Sequence, residues 1–192
     1  MARDPADIPL YENYGAYEPP LDAKEIVTEL LRTVPPDYLR GLGSVVLSSQ
    51  AALSRSQRRK KGWSRGRKVS REWMLGYYQA AWGGQPAYVE LYVDKICSRL
   101  PRPFNRISLF QDLVVGQVLF HEAGHHIHYS IRPEFREKED VADKWASRLL
   151  RSAIQQRYWY AFLLLPLART VSFLQRTWKK AVSLTRFTKP PQ

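Results

Sequence analysis

The chain contains one cysteine, Cys97, among its 192 residues. An intrachain disulfide is therefore excluded, which is typical of a protein from a reducing compartment. Its first residues are polar and no apolar stretch follows them, so we expect no signal peptide and a cytoplasmic location. Long apolar runs are also scarce: the run at 158–168 is broken by Pro166 and is shorter than the roughly 20 residues that cross a bilayer.

Acidic residues are absent from two long segments. Residues 55–71 contain nine Arg or Lys, and residues 151–192 contain eight. Since the whole chain has a net charge of +12, we expect it to be attracted to an anionic partner, either nucleic acid or a membrane surface. We predict that the first segment is a flexible basic loop. Nucleic-acid binding is the less favoured interpretation of it, because Trp63 alone is thin support for base stacking.

The second segment forms an apolar and basic extension, residues 151–192. Aromatic and aliphatic residues at 158–168 are followed by scattered Arg and Lys. This composition is typical of a segment that lies on an anionic membrane surface, here residues 157–190, and we expect peripheral association through it. The alternative is a helix that packs on the domain with its charges in water.

Residues 22–150 carry the patterns of an α+β domain. Asp22 and Glu25 predict a capped helix that ends before Pro35, and Pro133 predicts the start of a late helix. Strands are predicted over 42–48, 73–81 and 87–96, the last two joined by a hairpin, and a long apolar helix over 108–129. Residues 1–21 show no period of 2 or 3.6, so we predict an irregular arm.

Histidine occurs only between positions 121 and 128, and two of the four histidines belong to the segment His121-Glu122-Ala123-Gly124-His125. Residues four apart on a helix share one face, so both imidazoles can bind one Zn²⁺. Glu122 lies about 100° round the helix, where it can take a proton from water and pass it to a leaving amine. Gly124 leaves space beside the metal.

The third ligand must be a carboxylate or Cys97, since no distant histidine exists. Ile131 stands where a metzincin-type third histidine would fall. His128 lies about 10 Å along the helix axis from His121, too far to share one ion, so we expect it and His126 outside the ligand set. An acid-rich segment supplies five candidate carboxylates, and we favour Glu139 as ligand and Asp143, one turn later, as the group that orients a ligand histidine. The others are Glu134, Glu137 and Asp140.

The pair HEAGH (121–125) and EDVADKWASRLL (139–150) resembles the gluzincin metallopeptidases, most of all the minigluzincins and the ImmA/IrrE-type peptidases. Their glutamate helix has the pattern E-x-x-A-[ND]-x-[FW]-A, which residues 139–146 match in order. The resemblance implies a minimal zincin-like fold: a backing helix, a three-stranded sheet, the HExxH helix and the glutamate helix. We expect a C-terminal helical extension in addition to that fold. The segment AYVELYVDKI resembles the edge strand above the cleft, to which a substrate strand pairs.

Two features depart from that family. No second DNA-binding module is apparent, and the C-terminal extension is not part of the minimal pattern. The residue that stabilises the oxyanion is also not placed, with Tyr129 and the tyrosines at 158 and 160 as candidates.

The sequence therefore predicts a zinc metallopeptidase that acts on a protein or peptide substrate. The alternative is a catalytically silent protein of the same fold, serving as a membrane-surface or nucleic-acid-binding module.

Overall fold

The computed structural model describes residues 7–64, 67–100, 104, 106–131 and 139–160. The chain divides into two units, residues 1–154 and 155–192, and only residues 155–160 of the second are described. The described helices are α1 (Ala23–Arg32), α2 (Arg55–Arg59), α3 (Val93–Cys97), α4 (Ser108–Ile131) and α5 (Glu139–Arg157). The strands are β1 (Leu10–Asn13), β2 (Leu42–Ser48), β3 (Lys61–Ser64), β4 (Arg67–Ser70), β5 (Gly76–Gln79) and β6 (Ala87–Tyr92).

The expected α+β class is confirmed, but the main sheet has four strands rather than three. Their order is β1-β2-β6-β5, with β1, β2 and β6 parallel and β5 antiparallel to β6. The extra strand is β1, which lies inside the segment predicted as an irregular arm and pairs with residues 45–48 of β2. That prediction was wrong because an exposed edge strand need not alternate: only Leu10 in β1 is half-buried.

The predicted strand over 87–96 lies inside the sheet, so it is not the edge strand that the resemblance implied. It ends at Tyr92, where α3 begins, and the edge next to α4 is β5. The strand predicted over 73–81 is shortened to Gly76–Gln79 by a 3₁₀ turn at Arg71–Trp73. The predicted hairpin between them is confirmed, with Gly83 and Gly84 at φ values of 56° and 81° in its turn.

The helices bury one face of this sheet. The Asp22 carboxylate accepts a hydrogen bond of 2.8 Å from the backbone N–H of Glu25, which confirms the predicted cap of α1. The buried residues of α1 and α4 join Val89 and Leu91 in one core. Among the described residues, no helix is both long and apolar enough to cross a bilayer. The helix start predicted at Pro133 and the extension beyond residue 160 lie outside the described residues.

The described residues of the segment 55–71 are not the flexible loop that was predicted. They form α2 and the antiparallel hairpin β3–β4. Ser54 and Gln57 cap α2 reciprocally, each side chain bonding to the other residue's backbone N–H. The prediction was based on the run of charges and overlooked the capping pair Ser54 and Gln57, which indicates a helix start.

Two glycines bring α5 close to α4. A Cβ on Gly124 would lie 2.8 Å from the carbonyl oxygen of Ala142, and a Cβ on Gly116 would lie 2.9 Å from Cδ1 of Leu150. The first contact is with backbone, whereas the second is with the end of a flexible side chain. The two positions therefore differ in how readily they accept a methyl group.

We expect Gly124→Ala to lower the free energy of unfolding by about 1–3 kcal/mol, because α5 must move as a unit to admit the new methyl group. Gly116→Ala is the matched control. Rotation of Leu150 can relieve its contact, and the better helix propensity of alanine, worth about 1 kcal/mol, offsets the rest. Urea denaturation measures both variants. Equal stability of both would show that α5 is not seated against Gly124.

Candidate metal centre

His121 and His125, the candidate metal ligands on α4, lie on the side of the helix opposite to its buried face. Phe120, Ala123 and Ile127 are each at most 1% exposed and face the core. His121 and His125 alternate with them and are half-buried. The packing of the helix therefore fixes the side from which both imidazoles project.

Three ligand atoms converge at one point beside α4. The Nε2 atoms of His121 and His125 are 3.2 Å apart, and Glu139 Oε2 lies 3.3 Å from His121 Nε2. One ligand atom from each of the three residues lies within 4.8 Å of the others. Two ligands held tetrahedrally at about 2.0–2.1 Å from Zn²⁺ are about 3.4 Å apart. The donor set therefore fits a zinc ion in both chemistry and spacing.

Asp143 sets the tautomer of His121. Its Oδ1 is 2.9 Å from His121 Nδ1, so the ring donates its Nδ1 proton to the carboxylate and keeps a lone pair on Nε2. Burial, reinforced by the neighbouring His125, lowers the pKa of His121 although Asp143 and Glu139 oppose the shift. The imidazole is thus neutral at pH 7, which is the form that binds a metal.

Gly124 has a different role from the one predicted. It leaves space for the backbone of Ala142 rather than for a metal ion. Ala142 lies between Glu139 and Asp143 in the sequence of α5. The close approach of the two helices therefore carries both carboxylates to His121.

Glu122 lies on the side of α4 that faces the edge strand. It is 7% exposed, and a Cβ on Gly76 would lie 2.8 Å from both its Cγ and its Oε1. Only a glycine on β5 leaves room for this side chain. The carboxylate is thus confined between helix and strand, next in sequence to His121.

Sequence reasoning missed Tyr78, which faces α4 from the same strand. Its ring stacks on His125, with centroids 6.4 Å apart and planes 15° apart. Its hydroxyl lies 3.3 Å from Nδ1 of His126, whose Nε2 is 3.0 Å from the carbonyl oxygen of Arg40. Since Nε2 donates to that carbonyl, Nδ1 is the acceptor for the Tyr78 hydroxyl.

His126 lies outside the group of candidate ligands, as expected, but it is buried: it is 3% exposed and joins α4 to β5 and to the turn before β2. Burial lowers its pKa, while the bond to Arg40 opposes the shift. The alternation of β5 could have indicated Tyr78, because residues 76 and 78 of one strand share a face.

The remaining predicted residues divide as follows. Cys97 is not a member of the metal-binding group in the described residues, and burial raises the pKa of its thiol. Tyr129 stands near the group, with its ring 5.9 Å from that of Tyr78, and is 43% exposed. Asp140 is exposed. Glu134 and Glu137 lie outside the described residues.

No family model, no curated protein and no solved structure matches this chain.

We expect Asp143→Ala to weaken zinc binding by roughly 10–100-fold, because it removes the hydrogen bond that orients His121 and raises its basicity. Asp140→Ala, which removes an exposed carboxylate from the same turn of α5, is the matched control and should leave the affinity unchanged. Competition with a zinc-sensitive dye measures both dissociation constants. Equal affinities in the two variants would refute the orienting role of Asp143.

Proposed function

We propose that this protein is a zinc-dependent metallopeptidase with a zincin-like fold. His121, His125 and Glu139 hold the ion, Asp143 orients His121, and Glu122 is the general base and acid. The convergence of two imidazole nitrogens and one carboxylate oxygen at the spacing of a tetrahedral ion carries the proposal.

The number of ligands favours a catalytic site over a structural one. Structural zinc sites have four protein ligands, whereas catalytic sites have three and keep one position open. Three candidate ligands form the group found in the described residues. Zinc bound there would act as a Lewis acid, polarising a peptide carbonyl and lowering the pKa of water.

Glu122 performs the proton transfers in this proposal. Its Oε atoms accept the proton of the attacking water and deliver it to the nitrogen of the leaving amine. Contact with Gly76 limits the Glu122 side chain to few orientations. The carboxylate therefore loses little conformational entropy when it reaches the geometry of the reaction. A purely structural metal site requires no proton acceptor, so it does not account for a carboxylate confined at this position.

The edge strand supports a peptide as the substrate. Within the described residues, no strand pairs with the outer edge of β5, whose inner face carries Gly76 and Tyr78 beside the site. An extended peptide can add to such an edge through backbone hydrogen bonds. Its chain would then run next to Glu122 and His125, where hydrolysis requires it.

The competing proposal is a catalytically silent protein that keeps the same site. The experiment that separates them uses Glu122→Gln, which preserves the size of the side chain but cannot accept the proton. We expect hydrolysis to fall at least about 100-fold while zinc content stays at the wild-type level. Hydrolysis is measured on a proteome-derived peptide library, with new termini identified by mass spectrometry.

Glu72→Gln, at an exposed glutamate outside the site, is the matched control and should cleave like the wild type. Cleavage by Glu122→Gln at the wild-type rate would refute the assignment of the general base. A zinc-loaded wild type that cleaves nothing in the library, while binding peptides from it, would favour the silent protein.

A further inference from the structure

The positive charge of this chain is concentrated in two segments. Residues 55–71, here called the basic module, hold nine of the 30 basic residues, and residues 151–192 hold eight. All 18 acidic residues lie elsewhere, together with the other 13 basic ones, so the rest of the chain has a net charge of −5. An anionic surface would therefore attract the basic module while repelling most of the domain.

The module is anchored to the outer face of the main sheet, away from α4. Tyr77 and Glu90 are paired in register on this face, whereas Gly76 and Tyr78 point to α4. The Arg71 guanidinium lies 3.7 Å from a Glu90 oxygen and 4.3 Å above the Tyr77 ring. These contacts attach one end of the module to β5 and β6.

The other end of the module is held as well. Arg58 Nε donates to the carbonyl oxygen of Leu53 over 3.1 Å, and Leu53 packs with Met74 and Tyr92. The backbone N–H of Arg71 donates to the carbonyl oxygen of Lys60, which closes the base of the hairpin. Charges on such a framework lose less conformational entropy on binding than charges on a free loop.

Among the module side chains that the structure describes, three cations are exposed on and beside α2. Arg55, Arg59 and Lys60 point into solvent, whereas Arg58 and Arg71 serve the framework. They can therefore be replaced without removing any contact that holds the module in place.

The surroundings of the module favour a lipid surface over nucleic acid. Trp73, two residues beyond it, is 73% exposed, and the Lys95 ammonium lies 5.8 Å from its ring. Exposed tryptophan among lysine and arginine is typical of the headgroup region of a bilayer. The second basic segment also carries the apolar run at 158–168, which is suited to contact with the apolar part of a bilayer rather than with a nucleic acid.

We propose that the basic module docks this protein onto an anionic phospholipid bilayer. Its exposed cations contact the headgroup phosphates and carboxylates, and Trp73 inserts at the same level. Because the module lies on the face of the sheet opposite α4, docking leaves His121, His125 and Glu122 directed away from the bilayer. This proposal does not depend on the peptidase assignment.

Vesicle sedimentation of the full chain tests it. We expect binding to vesicles of phosphatidylcholine with phosphatidylserine and none to phosphatidylcholine alone. The triple variant Arg55→Gln, Arg59→Gln, Lys60→Gln should bind roughly 100-fold more weakly, at about fivefold for each charge near the surface. The control variant Lys24→Gln, Arg99→Gln, Lys144→Gln removes the same charge at exposed positions elsewhere and should bind like the wild type.

Trp73→Ala is a second test, in which the net charge of the protein does not change. It should weaken binding to the phosphatidylserine vesicles and leave binding to soluble heparin unchanged. Equal loss in the two triple variants, or none in the module variant, would overturn the proposal. So would module-dependent binding to double-stranded DNA without binding to vesicles, which would identify nucleic acid as the partner.

Discussion

The contact between α4 and α5 at Gly124 brings the candidate metal-binding residues together. Backbone atoms of Ala142 occupy the space that a side chain at Gly124 would need. Because the helices approach so closely, the turn of α5 that contains Glu139 and Asp143 lies against the turn of α4 that contains His121. Carboxylate oxygens of Glu139 and Asp143 therefore both reach the imidazole of His121, at 3.3 and 2.9 Å.

The edge strand completes the site from the other side. Gly76 admits the Glu122 carboxylate, and Tyr78, two residues later, covers the ring of His125. His126 fastens this arrangement through Tyr78 and Arg40, although it does not belong to the ligand group itself. A glycine and a tyrosine on one short strand thus shape the site as much as the helix does.

The sequence was most informative where a local pattern determines the structure. Spacing placed His121, Glu122 and His125 on one helix, and the β-rich composition of residues 42–48 predicted β2 with its observed bounds. The four-residue strand β1 could not be predicted, because its pairing with Val45–Ser48 depends on residues more than 30 positions away. For Gly76 and Tyr78, the predicted strand shows that the two residues share a face, but the place of that face beside α4 depends on the topology of the whole sheet.

Charge patterns were the least reliable guide to structure. Nine basic residues concealed a helix cap at Ser54 and a hairpin, because a count of charges does not show which of them have structural partners. Arg71 demonstrates the difference: it belongs to the basic run, yet it is paired with Glu90 on the sheet. Composition predicts an anionic partner, whereas the structure shows which of the described basic side chains are exposed.

The central claim is that Glu139 joins His121 and His125 in holding one zinc ion. The most direct test is elemental analysis of zinc in the wild type and in Glu139→Ala, purified in parallel without chelator and reloaded under the same conditions. The structure predicts about one zinc per chain in the wild type and clearly less in the variant, which retains two of three ligands. Equal zinc in both would contradict the third ligand, and a wild type that binds no zinc would contradict the metal site itself.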